Sequence, residues 1–190
     1  MTDYEERQQV KRERVAGLQA LNPHLTPGTG ATHAAKNIRI VLKASWPKVK
    51  FSVKTDHFAN GNSVDVRWED GPTTKAVDAA IGRFCSGHFD GRDDSYRYSD
   101  DPWVDAFGGT KYLHTTRRYS EAGVRKAVDE LLAKYGSPYD AIVTYPDAVL
   151  VAGYLAGALG DTSPFGNWDG HWRNCWREVI ARHLQEMDYA

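Results

Sequence analysis

The apolar positions along this chain change period several times, and each change predicts a new element. From Asp3 to Leu21 the residues Val10, Val15, Leu18 and Leu21 recur at helical spacing, as a thin stripe on a polar helix. Thr2 and Glu5 have the spacing of a capping box at its start. Asn22-Pro23 through Gly30 reads as a Pro/Gly-rich linker. A second helix is expected from a Thr32 cap, with Ala35, Ile38, Val41, Leu42 and Trp46 on one side and Pro47 as its stop. The period then falls to two. Val49, Phe51 and Val53 alternate with Lys48, Lys50, Ser52 and Lys54, and Val64, Val66 and Trp68 alternate with Asp65, Arg67 and Glu69. With the polar Asn60-Gly61-Asn62 between them, the two runs predict an antiparallel hairpin. Its apolar side is expected to face the helices that carry Ile38 and Val77.

Asp70-Gly71-Pro72 breaks the second strand, and Thr73 can cap a helix carrying Val77, Ala80, Ile81 and Phe84. Ser86 to Pro102 reads as a Gly/Asp/Tyr-rich loop. Lys111 to Arg118 is expected as a third strand. Ser120 caps a helix with Val124, Val128, Leu131, Leu132 and Tyr135, which Gly136 stops. Ala141-Ile142-Val143 suits strand or helix equally. Pro146 to Leu159 reads as a helix, Gly160 to Gly170 as a loop, and His171 to Met187 as a last helix with Trp172, Trp176, Val179, Ile180, His183, Leu184 and Met187 along one stripe. The order predicts an α+β fold: an antiparallel hairpin plus a third strand packed on helices, with a helical C-terminal extension. Three segments are expected. They are an N-terminal helix and linker (1–30), an α+β core (31–136) and a mostly helical, Trp-rich extension packed on the core (137–190).

Composition narrows the class. The chain has 190 residues, 41% hydrophobic, enough to bury a core without staples. Cys85 and Cys175 follow no metal or disulfide spacing, so reduced thiols and a cytoplasmic location are expected. No stretch suits a bilayer span or a signal peptide, and no membrane role is expected. The formal net charge is -1, yet charge is unevenly spread. Lys36–Lys75 holds eight basic and four acidic residues, Gly87–Phe107 two and six, and Gly136–Ala190 three and seven. Such faces steer partners; they also neutralise one another where they pair.

The candidate chemistry is sparse. Asp90, Asp93 and Asp94 lie near His88, but no calcium-loop spacing is present, and a solvated acidic loop accounts for them as well. His171 and Cys175 stand one helical turn apart without further ligands or an orienting group nearby. There is no Gly-x-Ser-x-Gly and no phosphate-binding glycine loop. No catalytic residue, metal site or cofactor is therefore assigned. The polar side of the hairpin offers Lys48, Lys50, Lys54 and Arg67, with Lys43 and Lys75 expected nearby, as a phosphate-binding face. Cross-strand pairing of these lysines with Asp65 and Glu69 is the structural alternative. In the tail, Phe165, Trp168 and Trp172 are candidate partner-binding anchors, although core packing also accounts for a stripe at helical spacing.

Several short motifs occur in a fixed order: Ile38-Arg39, Phe51-Ser52-Val53-Lys54, Val64-Asp65-Val66-Arg67-Trp68, Asp70-Gly71-Pro72-Thr73-Thr74-Lys75-Ala76-Val77, Ser86-Gly87-His88-Phe89-Asp90-Gly91 and Tyr119-Ser120. Over roughly residues 34–135 the chain resembles the large polyvalent protein-associated domain numbered twenty-nine in its series, from phages, plasmids and integrative elements. The resemblance implies a mobile-element origin and lends no catalytic residues. It leads to the expectation of a non-enzymatic accessory protein that binds a host or phage protein or nucleoprotein complex, in the form of an anti-defence (anti-CRISPR or anti-restriction) inhibitor. Two alternatives stand beside it. One is a nucleic-acid-binding module using the Lys-rich hairpin face. The other is an enzyme with a site assembled around His88 and Asp90.

Overall fold

The computed structural model describes residues 2–135, 147–159 and 175–189. Among them the elements run α1 (Asp3–Leu21), α2 (Gly30–Ser45), β1 (Ser52–Phe58), β2 (Gly61–Glu69), α3 (Thr74–Ile81), a 3-10 turn (Gly82–Phe84), β3 (Gly87–Asp90), β4 (Ser95–Tyr98), α4 (Pro102–Phe107), β5 (Tyr112–Arg118), α5 (Glu121–Tyr135), α6 (Asp147–Leu155) and α7 (Trp176–Glu186). The fold is α+β, and its last three described elements are helices. β1, β2 and β5 form one sheet with β2 in the centre, and β3 and β4 form a second, two-stranded one. The chain divides into two compact units, 1–68 with 74–116, and 69–73 with 117–190. The expected boundary at 136/137 lies within the second of these.

In the first unit α1 starts with the expected capping box. Glu5 N–H donates to the Thr2 hydroxyl at 3.3 Å and Thr2 N–H to the Glu5 carboxylate at 2.7 Å. α2 begins earlier than its sequence suggests, at Gly30 with Thr29 as N-cap, so Thr32 lies inside the first turn. Ile38, Leu42, Val53, Val64, Val66, Trp68, Val77, Ile81 and Phe84 share one buried cluster, to which Trp46, Val49 and Phe51 contribute at the edge. The hairpin therefore buries the side that period-two alternation assigned to it. Phe51 lies 5.6 Å from Trp68 and 6.1 Å from Trp46, ring centre to ring centre.

Two parts of this unit differ from expectation. β1 starts only at Ser52. Trp46 to Val49 closes a turn, with Val49 N–H donating to the Trp46 carbonyl at 3.1 Å, and Pro47 fixes the bend. The hairpin loop is Ala59-Asn60, because Phe58 pairs with Gly61 and Gly61 opens β2. Residues 86–102 are also no plain loop. They form the β3–β4 hairpin, with Gly87 opposite Tyr98 and Asp90 opposite Ser95. Asp101 then caps α4 with its carboxylate on Trp103 N–H at 3.0 Å, followed by Pro102 in the first helical turn.

The second unit is built around Val124, Val128, Leu131, Leu150, Val151, Trp176, Ile180 and Leu184, from α5, α6 and α7. The Asp70-Gly71 turn belongs to it. Both residues take left-handed backbone angles (φ 52 and 62), which Gly adopts without strain and Asp tolerates. The turn is held by Arg117, which is 9% exposed. Its guanidinium donates to the carbonyls of Asp70 (3.0 Å), Gly71 (2.6 Å) and Leu184 (3.1 Å), and lies 5.0 Å and 5.2 Å from the Tyr119 and Tyr189 ring centres. The Asp70 carboxylate accepts from the Ser120 N–H (3.0 Å) and hydroxyl (2.6 Å), while Ser120 Oγ accepts from Gly123 N–H as the cap of α5. The Asp-Gly-Pro and Tyr-Ser motifs thus have a structural reason: together with Arg117 they fix how β2 ends and α5 begins. Ala141-Ile142-Val143 and His171 lie outside the described residues. Cys175 is buried as the N-cap residue of α7, which begins at Trp176.

Candidate functional site

Side chains alternate across a strand, so the inward turn of Val53, Val64, Val66 and Leu113 sends their neighbours to the opposite face of the three-stranded sheet. That outer face carries Lys54, Asp56 and Phe58 from β1, Asp65 and Arg67 from β2, and Tyr112 and His114 from β5. Lys54, Phe58, Arg67 and His114 are exposed.

Phe58 and Tyr112 stack with centroids 6.1 Å apart and planes inclined by 26°. Tyr112 and His114 lie side by side at 6.3 Å with planes only 4° apart. The row continues edge-on into the small hairpin, to Tyr96 (5.8 Å from Tyr112) and from there to Tyr98 at 4.8 Å. Phe58 is 46% exposed and Tyr98 70%, although rings of this size are normally driven inward.

Local hydrogen bonds put the row in place. The Asn62 side-chain oxygen accepts from Lys111 N–H (2.9 Å) and from the buried Thr110 hydroxyl (3.0 Å), which fastens the start of β2 to the start of β5. Lys111 Nζ reaches back to the Asn60 carbonyl at 2.9 Å and strapps the hairpin loop down. Its ammonium passes 5.1 Å and 5.5 Å from the Tyr96 and Tyr112 ring centres. Gly61 makes room for this: a Cβ there would stand 2.8 Å from the Lys111 side chain and 3.3 Å from the Phe58 ring. The Tyr96 hydroxyl donates to the Lys111 carbonyl at 2.6 Å. Burial, reinforced by Cys85, raises the Tyr96 phenol above its ordinary pKa, so it stays a protonated donor.

The cations expected on this face are only partly together. Lys54 and Arg67 are on it, with Lys54 directly opposite Asp65. Arg67 also lies 3.7 Å from Asp65, its neighbour but one on the same strand. Lys48 and Lys50 precede β1, because the Pro47 turn ends before the strand starts, so the lysine row from 48 to 54 is not a strand face. Lys43 sits in the last turn of α2, and Lys75 is exposed on α3.

His88 and Asp90 fall on β3. His88 is exposed opposite Arg97, and Asp90 forms an ion pair with Arg97 at 2.8 Å that Asp93 shares at 2.7 Å. The acidic stretch is thus organised by an arginine. Among the described residues no three His, Cys, Asp or Glu side chains come together as a metal site. Phe165, Trp168 and Trp172 lie outside the described residues. A groove of about 870 Å³ runs between α1 and the segment around Tyr98 to Asp105, lined among others by Val10, Lys11, Arg14 and Asp101. Lys11 spans it to Asp105 at 2.8 Å, and that hydrogen bond raises the pKa of the ammonium. No described helix is long and apolar enough to cross a membrane.

Residues 29–120 match the family Large polyvalent protein associated domain 29. No curated protein and no solved structure matches the chain. The matched segment holds α2 through β5 and the Tyr119–Ser120 pair, and so the complete ring row; α1, α5, α6 and α7 lie outside it. The family is one of domains in polyvalent proteins of mobile elements, which agrees with a phage-related accessory role.

Proposed function

We propose that this chain is a non-enzymatic accessory protein of a phage or mobile element that engages a nucleoprotein assembly through the outer face of its three-stranded sheet. The observation that carries the reading is the row of exposed Phe58, half-buried Tyr112 and exposed His114 beside Lys54 and Arg67, all within the family-matched segment. Exposed aromatic side chains with adjacent cations supply much of the energy at recognition surfaces. The specific form we favour is cytoplasmic inhibition of a host defence, CRISPR–Cas or restriction. Its support is the mobile-element family alone.

The test is purification of tagged chain from host cells, wild type against Phe58→Ala/Tyr112→Ala, with and without nuclease. The proposal expects a nucleoprotein assembly with the wild type and its loss with the double variant. Equal recovery by both proteins rejects the outer face as the contact. For the anti-defence form, phage plating on a host that carries the defence system should rise when the wild-type chain is expressed and not when the variant is.

A further inference from the structure

The outer face has a spacing that selects among ligands. Three rings, Phe58, Tyr112 and His114, follow one another at 6.1 Å and 6.3 Å, with planes inclined by 26° and 4°. Bases along one strand of a duplex rise by about 3.4 Å each, so a strand whose bases are stacked on one another is out of step with these rings. An extended strand with its bases splayed apart fits them, one base over each ring. Base-on-ring stacking is indifferent to sequence, because every base presents a π face.

Cations flank the row on the sheet itself. Lys54 lies two and four positions from Asp56 and Phe58 on the same face of β1, Arg67 is on β2, and the Lys111 ammonium sits between the Tyr96 and Tyr112 rings. The ring row and these three cations match bases and phosphates, respectively. The carboxylates of the face already hold donors. Asp65 is engaged by Arg67 and by the Ser63 hydroxyl at 3.3 Å, and Asp56 by His57 N–H at 2.9 Å.

We infer that the outer face of β1, β2 and β5 binds a single-stranded nucleic acid, with Phe58, Tyr112 and His114 stacking consecutive bases and Lys54, Arg67 and Lys111 holding the backbone. This rests on the proposed function and names its ligand.

Fluorescence anisotropy with labelled oligo(dT), the matching duplex and oligo(U) tests it. The purified full chain should bind oligo(dT) and oligo(U), and the duplex at least about tenfold more weakly. Log affinity should fall against log salt with a slope of about -2, from three cations at roughly -0.7 each. Tyr112→Ala and Phe58→Ala should each weaken oligo(dT) binding by about tenfold, while Tyr112→Phe keeps the ring and binds like wild type. Lys54→Glu should weaken binding, whereas Lys75→Glu, on α3, should leave it unchanged. Melting temperatures of all variants identify any that fail to fold, and Tyr112→Phe with Lys54→Glu then carries the test alone. Equal affinity for the duplex, ring variants that bind normally, or no binding of any oligonucleotide would overturn the inference. If no oligonucleotide binds but the double variant still loses its assembly in cells, the inference falls and the proposed function stands.

Discussion

The two faces of one small sheet carry aromatic rings of similar size in opposite circumstances. On the inner face Trp68 is 3% exposed and packs against Phe51 in a cluster with Val53, Val64 and Val66. On the outer face Phe58 is 46% exposed and stacks on Tyr112, which other half-exposed rings adjoin. Burial of apolar area stabilises the first set at about 25 cal/mol per Å². The outer set gives up much of that gain. A ring left in water yields little to folding, so its position is informative about what else it touches. The contrast separates residues kept for stability from residues available for recognition, within strands only a few residues long.

The comparison can be broken by substitution, and the largest effect belongs to the inner face. Trp68→Ala should destabilise the protein by about 3–5 kcal/mol in denaturant unfolding, through lost burial and the cavity left behind. Next is Arg117→Met, in the second unit. It leaves the Asp70, Gly71 and Leu184 carbonyls without their buried donor and should lower stability by about 3 kcal/mol. Phe58→Ala should lower stability by less than about 1 kcal/mol, because the ring is already half in water. A cost as large as that of Trp68→Ala would mean that the outer rings are structural too.

The smallest effect is a pH dependence. Burial, with Asp70 next in strength, pushes the Tyr189 phenol up to about 12 from an ordinary 10.0. A raised folded-state pKa means that the folded chain holds the proton more tightly than the unfolded one. The associated stability is therefore complete below pH 10 and declines as pH rises through about 12. Tyr189→Phe should flatten this alkaline loss in unfolding curves measured from pH 9 to 12. An unchanged curve would place the loss on other groups.

Much of the fold was legible because it is encoded locally. The Thr2–Glu5 box, the alternation of Val64, Val66 and Trp68, and the Ser120 cap each need only a few neighbouring residues to be recognised. The β3–β4 hairpin escaped because each strand has four residues, too few to display a period. Helix α4 was readable in principle: Asp101-Pro102 is a cap followed by a first-turn proline, hidden within an acidic stretch that suggested a loop. The lysine row failed because Pro47 imposes a turn on residues whose alternation resembles a strand. The ring row could not be read in full, since Phe58, Tyr96 and Tyr112 come from three segments joined only in the folded unit. Two fragments of it were visible as aromatic residues two apart, Tyr96 with Tyr98 and Tyr112 with His114.

The most direct test of the division between the faces is photochemical cross-linking of the full chain to a single-stranded DNA that carries 5-iodouracil, with the attachment sites mapped by peptide mass spectrometry. The account predicts adducts on Phe58, Tyr112 or His114 and none on Phe51 or Trp68. Adducts confined to α1 and the groove beside it, or none at all, would contradict it.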